Sequence, residues 1–76
     1  MLASALEHLV RGIVNRPDDV RVDARETSRG EVLVVHVHHE DLGRVIGRQG
    51  RTAKALRTLV TALADGRRVR VDVADD

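Results

Sequence analysis

The sequence has no cysteine, phenylalanine, tyrosine or tryptophan among its 76 residues, and only one proline. The lack of cysteine excludes disulfides and thiolate metal sites and fits a cytoplasmic protein. The lack of aromatic side chains excludes stacking of nucleic-acid bases on aromatic rings. Apolar residues make up 42% of the chain and are nearly all aliphatic. We expect one small domain with an aliphatic core, of a size that often gains stability by oligomerising.

Long apolar runs are also missing. No stretch approaches the ~20 residues that a membrane-spanning helix requires. The N-terminal segment carries Glu7 and His8 early and lacks the basic region that opens a signal peptide. We therefore expect a soluble, cytoplasmic protein without a membrane partner.

Charge is nearly balanced, with a formal net charge of +1, so overall charge does not indicate a nucleic-acid partner. The charges are unevenly distributed, however. Between residues 42 and 64 there is no acidic side chain, and the basic side chains are Arg44, Arg48, Arg51, Lys54 and Arg57. A local basic surface of this kind suits a phosphate backbone.

Hydrophobic periodicity predicts an element order of helix, strand, strand, helix, helix, strand. The predicted ranges are about 2–14 for the first helix, 20–25 and 31–38 for two strands, 42–46 and 51–64 for two helices, and 68–73 for the last strand. Each strand alternates an aliphatic with a mostly charged face, which predicts an α+β fold with a three-stranded sheet and every helix on one face. The short first connection predicts an antiparallel hairpin, and the helical crossover allows a parallel third strand, hence a mixed sheet.

Three local features of these elements are also predicted. Asp41 is expected to cap the N-terminus of the short helix. Asp65-Gly66 is expected to end the following helix, because glycine is common just past a helix C-terminus. The core-facing side of that helix is expected to comprise Ala53, Leu56, Leu59, Val60 and Leu63.

The segment Gly47-Arg48-Gln49-Gly50 lies between the short helix predicted at 42–46 and the longer helix predicted at 51–64. Glycine has no Cβ, so another molecule can approach the backbone closely, and positive φ angles are accessible. The free N–H groups at the start of the next helix favour a phosphate. We interpret the segment as a G-x-x-G loop that clamps a few nucleotides of single-stranded RNA. The alternative is a plain turn between packed helices.

The residues from Val45 to Arg51 resemble the signature of the KH domain. The element order is similar to the type II KH fold, in which an extra helix and strand precede a minimal strand–helix–helix–strand unit. The continuation from Arg51 to Val60 resembles the small stand-alone bacterial KhpA family, and the likeness covers nearly the whole chain. The resemblance implies a single KH domain over residues 1–76, with the minimal unit at about 31–74 and an acidic tail at 75–76.

This resemblance implies that single-stranded RNA binds in a groove between the loop and the second strand, with Ile46 and the strand around Val35–Val37 as its apolar floor. The implied RNA-binding residues are Arg44, Ile46, Gly47, Arg48, Gln49, Gly50, Arg51 and Lys54. Arg57 either extends this basic surface or belongs to an ordinary exposed helix face. The family also implies self-association or pairing with a larger KH-containing protein, activity as an RNA chaperone or post-transcriptional regulator, and a link to cell shape and cell wall organisation.

One departure from the KH pattern bears on affinity. Ala53 stands where many KH domains have a bulky aliphatic residue, and no aromatic residue is available for base stacking. We therefore expect weak binding with little sequence selectivity, dominated by salt-sensitive phosphate contacts.

Other function classes are less well supported. His36 and His38 share a strand face with Val32 and Val34 but lack an evident third metal ligand, so we expect a solvated or partner-facing surface and no metal. No nucleophile stands beside a base, and the spacing of the glycines does not fit a P-loop. We expect neither an enzyme nor a cofactor. The alternative to RNA binding is a KH-fold dimerisation module, supported by the Val32 and Val34 patch.

Overall fold

A computed structural model of the chain describes residues 2–74. Its helices are α1 (Leu2–Arg11), α2 (Leu42–Ile46) and α3 (Arg51–Ala64), and its strands are β1 (Arg21–Thr27), β2 (Gly30–His36) and β3 (Val69–Val73). The order α1-β1-β2-α2-α3-β3 confirms the prediction. The predicted acidic tail at 75–76 lies outside the described residues. No helix within residues 2–74 is both long and apolar enough to cross a bilayer.

The three strands form one mixed sheet in the order β1-β2-β3. β1 pairs with β2 in antiparallel orientation, and β3 pairs with β2 in parallel orientation, with Leu33 opposite Val71. The antiparallel pair follows from a tight turn, whereas the parallel pair requires the α2–α3 crossover. Both predicted orientations are confirmed.

One aliphatic core lies between the sheet and the helices, all on the same face of the sheet. Each helix contributes to it, and its most deeply buried members are Leu6, Val10, Leu33, Val35, Val45 and Val60. Burial of each such side chain stabilises the fold by roughly 1.5–3 kcal/mol. Helix α1 ends at Arg11, earlier than its predicted end near residue 14, but Ile13 and Val14 still pack against this core.

Asp41 does not cap α2, contrary to the sequence prediction. A 3₁₀ turn, His39–Asp41, precedes the helix, so the backbone at Asp41 is already helical, with φ −95° and ψ −6°. The Asp41 carboxylate instead accepts hydrogen bonds from the backbone N–H groups of Asn15 (3.2 Å) and Arg16 (3.0 Å). Because the side chain points towards the segment after α1, it joins that segment to the start of α2.

Helix α3 differs from prediction on its core-facing side. Its buried residues are Ala53, Leu56, Val60 and Ala64. Leu59 and Leu63, which were expected in the core, are 48% and 57% exposed. They form a second stripe beside the buried one, and nothing within residues 2–74 covers it. The helix ends with Asp65 in the left-handed conformation (φ 51°), followed by Gly66 (φ 89°), so the first left-handed residue is not the glycine.

Candidate nucleic-acid interface

The G-x-x-G loop is a tight turn between α2 and α3. Gly47 (φ 76°), Gln49 (φ 58°) and Gly50 (φ 75°) all have positive φ angles. The N–H group of Gly50 donates a hydrogen bond to the Gly47 carbonyl at 3.1 Å, which closes the turn. The two side chains between the glycines, Arg48 and Gln49, are exposed. The loop therefore presents a charged and an amide side chain to solvent.

The two glycines of the loop are required for different reasons. A Cβ on Gly47 would lie 2.8 Å from the backbone nitrogen of Thr52 and would overlap its side chain. A Cβ on Gly50 would meet no atom of residues 2–74 within 4 Å. Gly47 is thus needed for packing between the loop and α3, while Gly50 leaves open space in front of the backbone. A ligand can approach the loop at Gly50.

Helix α3 starts directly after this open glycine. Its N-cap residue is Gly50, and within residues 2–74 no side chain supplies a capping hydrogen bond. The Arg51 N–H already donates a hydrogen bond to the Arg48 carbonyl of the preceding 3₁₀ turn. The other N–H groups at a helix start have no partner inside the helix and carry the positive end of its dipole. With Arg51 as the first helical residue, this end of α3 favours an anion such as a phosphate.

The predicted RNA-binding residues are clustered in sequence around this loop. Arg44 and Ile46 belong to α2, Arg51 and Lys54 belong to the first turn of α3, and all four are exposed. Ile46 is 41% exposed, which is high for a large apolar side chain next to a helix end. Among residues 2–74, no acidic side chain forms an ion pair with the four cations Arg44, Arg48, Arg51 and Lys54. These cations are available to neutralise phosphates.

Arg57 has a structural contact that the sequence did not indicate. Its Nε donates a hydrogen bond to the carbonyl of Val71 at 3.2 Å, so the side chain joins α3 to β3. β3 is an edge strand, and the arginine satisfies one carbonyl along that strand. Arg57 therefore contacts the sheet, unlike Arg44, Arg48, Arg51 and Lys54, and it has a structural role in addition to its charge.

Val35, which the resemblance places in the apolar floor of the groove, is buried in the core instead. β2 is the central strand, with neighbours on both sides, and Val35 has 0% exposure. Val35 lies beneath the helices and cannot contact a base. Val37, just beyond β2, is half-buried against the same core. The edge strand on which α3 packs is β3, and strand order of this kind cannot be read from a single-sequence pattern.

Within residues 2–74, the open face of the sheet, opposite the helices, carries no large apolar patch. Val34 is flanked by Asp23 and Asp72, and Val32 by Arg25 and Arg70, in the cross-strand register. Both valines are half-buried. The patch that supported a dimerisation module on this face is therefore divided by charge.

β2 ends at His36, so His38 lies beyond the strand and does not share a strand face with His36, contrary to the prediction. His36 Nε2 lies 3.0 Å from Asp23 Oδ2, without the alignment of a hydrogen bond. A different group, His38, His39 and Glu40, brings its potential ligand atoms within 4.8 Å of one another. His38 Nδ1 already accepts a hydrogen bond from the Glu40 N–H. Glu40 is not evident as a third neighbour in the sequence, because a 3₁₀ turn folds it back onto His38.

Comparison with known proteins gives consistent matches over the whole chain. A family model described as KhpA/KhpB, KH domain matches residues 3–74. The chain is 78% identical over 76 residues to the RNA-binding protein KhpA of Leifsonia xyli subsp. xyli, which covers 100% of both chains. It is 64% identical over 75 residues to the RNA-binding protein KhpA of Streptomyces coelicolor, covering 99% of this chain and 94% of that protein. The RNA-binding protein KhpA of Halalkalibacterium halodurans is 45% identical over 76 residues, 97% of this chain and 100% of that protein. No solved structure matches the chain.

These matches confirm the resemblance drawn from the G-x-x-G segment and its flanks. The α+β order and the mixed sheet agree with a type II KH fold. The division into a minimal unit at about 31–74 stays a prediction. The family match and the sequence identities together show that the protein belongs to the KhpA/KhpB family of KH domains.

Proposed function

We propose that this chain binds single-stranded RNA in the cytoplasm and holds the RNA backbone through the G-x-x-G loop. The observation that carries the proposal is the open backbone at Gly50, next to an uncapped helix start and four cations without acidic partners among residues 2–74. The relatives named RNA-binding protein KhpA support the same function. The family is a class of RNA-binding KH domains rather than of enzymes, and we propose no catalytic activity.

Phosphate contacts dominate the proposed binding. Ile46 is the exposed apolar side chain beside the loop, while Ala53 is buried in α3 and offers nothing to a base. For single strands, the logarithm of the affinity falls with the logarithm of salt concentration by about 0.7 per neutralised phosphate. Four cations at the loop predict a slope of about −3. Weak, unselective binding of this kind suits an RNA chaperone or post-transcriptional regulator, and by family resemblance one linked to cell shape and cell wall organisation.

A double variant tests the loop. Arg48→Asp with Gln49→Asp places two negative charges where a phosphate is proposed to bind, and it should weaken binding to a labelled oligouridine by at least roughly tenfold in fluorescence anisotropy. The matched control is Ser4→Asp with Arg11→Asp, which changes the net charge equally on the exposed side of α1. A loop variant that folds and binds RNA like the parent would contradict the proposal.

We also propose that the chain associates through α3, with a second copy or with a larger KH-containing protein. The supporting observation is the exposed stripe of α3, which we define as Ala55, Leu59, Ala62 and Leu63. Successive members of this stripe are four, three and one positions apart in the sequence, which places their side chains on neighbouring rows of the helix surface. Exposed leucines on a small domain indicate a protein contact.

A further inference from the structure

A groove lies at the end of the sheet opposite the G-x-x-G loop, where the β1–β2 turn meets the connection between α3 and β3. Its volume is about 510 Å³. Arginines from separate segments line it together with two threonines: Arg29, Arg67, Arg68, Arg70, Thr27 and Thr61. We infer that this arginine groove is a second contact for the RNA phosphate backbone, an inference that rests on the proposed function.

The backbone itself brings the two arginine-bearing connections together. Gly30 has a φ of 121°, and a Cβ there would lie 2.7 Å from the Cβ of Arg68. The N–H of Glu31 donates a hydrogen bond to the Arg68 carbonyl at 2.9 Å. Because Gly30 has no side chain, the α3–β3 connection can lie directly against the β1–β2 turn. The arginines of both connections therefore sit on backbone segments that touch.

The β1–β2 turn is also held in a defined shape. The Thr27 hydroxyl donates to the Gly30 carbonyl at 2.8 Å and accepts from the Arg29 N–H at 3.2 Å. These two bonds fix the backbone on both sides of the arginine at the tip of the turn. A fixed backbone lowers the entropy that is lost when the arginine side chain binds a ligand.

Most of the surface that lines the groove is apolar, and the charged groups that border it favour an anion. Glu31 is the one acidic residue among its described lining residues. Within residues 2–74, Arg29, Arg67 and Arg68 form no ion pair, and Arg70 contacts Asp72 at 3.2 Å. The guanidinium group has a planar fork of donors that matches the oxygens of a phosphate. Charge complementarity therefore selects a polyanion, and RNA is the polyanion that the loop is proposed to bind.

The position of the groove predicts a dependence on RNA length. Helix α3 runs from the loop to the groove, and its ends are about 20 Å apart because an α-helix rises 1.5 Å per residue. An oligonucleotide of about four nucleotides, the length that a G-x-x-G loop clamps, reaches only the loop. A longer strand that engages both surfaces gains affinity because the second contact is intramolecular.

The test compares oligouridines of about four and about 16 nucleotides by fluorescence anisotropy across a salt series. Arg67→Gln with Arg68→Gln should lower affinity for the long RNA by at least roughly tenfold and make its salt slope shallower by about 1.4. Binding of the short RNA should be unchanged. Arg67→Lys with Arg68→Lys keeps the charge but loses the planar fork of donors, and it should bind the long RNA more weakly than the parent and more tightly than the Gln variant. The matched control, Arg11→Gln with Arg21→Gln, should behave like the parent.

Each contrary outcome has a distinct meaning. If the Gln variant binds the long RNA like the parent, while Arg48→Asp with Gln49→Asp still loses the short RNA, the groove is not an RNA contact and the proposed function stands. If the parent binds neither RNA, the proposed function and this inference both fail. If the Gln variant keeps RNA binding but loses binding to polyglutamate, the groove serves an acidic protein segment and the inference is overturned.

Discussion

The carboxylate of Asp41 accepts a hydrogen bond from the backbone N–H of Arg16 at 3.0 Å, across 25 residues of sequence. The aspartate is 1% exposed, and its other oxygen accepts from the N–H of Asn15. This buried side chain therefore holds the segment after α1 against the start of α2, one helix before the G-x-x-G loop.

Removal of this carboxylate should destabilise the fold strongly. Asp41→Ala leaves two N–H donors without their charged acceptor, and we expect a loss of roughly 2–4 kcal/mol in the free energy of unfolding. Asp41→Asn keeps one acceptor oxygen and should cost less. Urea unfolding followed by far-UV circular dichroism measures the change, since the chain has no aromatic residue for fluorescence. Asp18→Ala, at an exposed position, is the control and should change stability by less than about 0.5 kcal/mol. Equal effects of the two alanine variants would contradict this account of Asp41.

The two glycines of the loop should respond differently to alanine. Gly47→Ala forces an overlap with Thr52 as well as an unfavourable φ, so it should cost roughly 3 kcal/mol or more. Gly50→Ala meets open space and should cost only the left-handed backbone penalty, about 1–2 kcal/mol. Thermal melting of both variants, with RNA binding measured on the folded fraction, checks the order. A larger loss for Gly50→Ala would show that the turn packs differently.

Gln49 adopts a left-handed conformation that glycine would adopt without strain. Gln49→Gly relieves the left-handed backbone penalty of about 1–2 kcal/mol but increases the conformational entropy of the unfolded chain. The net effect should be a stabilisation of about 0.5–1 kcal/mol. Asp65→Gly, at φ 51°, should give a similar gain at the other end of α3. Ala5→Gly, within α1, is the control and should cost about 1 kcal/mol. If Gln49→Gly destabilises the protein, the Gln49 side chain makes a compensating contact.

Lys54 and Arg57, three positions apart on α3, should separate binding from stability. Lys54→Met should leave stability nearly unchanged and make the salt slope for RNA shallower by about 0.7. Arg57→Met loses the hydrogen bond to Val71 and should cost about 1 kcal/mol in stability. The same urea and salt titrations measure both variants. If Arg57→Met instead changes the salt slope and Lys54→Met instead lowers stability, then Arg57 is an RNA contact and Lys54 has a structural role.

The exposed stripe of α3 should determine the association state. Leu59→Glu places a charge within the stripe and should shift a dimer to a monomer in sedimentation equilibrium, while the core remains intact because this leucine is outside it. Thr58→Glu, at an exposed neighbouring position off the stripe, is the control. A parent protein that is monomeric at all concentrations would exclude the self-association proposed here, and an unchanged dimer in Leu59→Glu would place the interface elsewhere.

Sequence periodicity was sufficient for the element order, for both strand orientations and for the position of the glycine loop between two helices. These features depend on local spacing and on short connections. The prediction that Asp41 caps α2 is wrong because its hydrogen-bond partners, Asn15 and Arg16, are distant in sequence. Leu59 was assigned to the core because a helical period cannot tell a buried stripe from the stripe beside it. The position of β2 at the centre of the sheet likewise depends on tertiary packing, whereas the burial of Val35 agrees with its place on the aliphatic face of the strand.

Because of the exposed stripe of α3, the stability of this domain depends on the concentration of the protein. Leu59 and Leu63 are about half exposed, so covering each of them in the proposed dimer contributes up to about half of the roughly 1.5–3 kcal/mol that full burial gives. By mass action, the melting temperature then rises with the amount of protein, and the chain is most easily unfolded when it is scarce. The number of copies in the cell would set how much of the RNA-holding form persists.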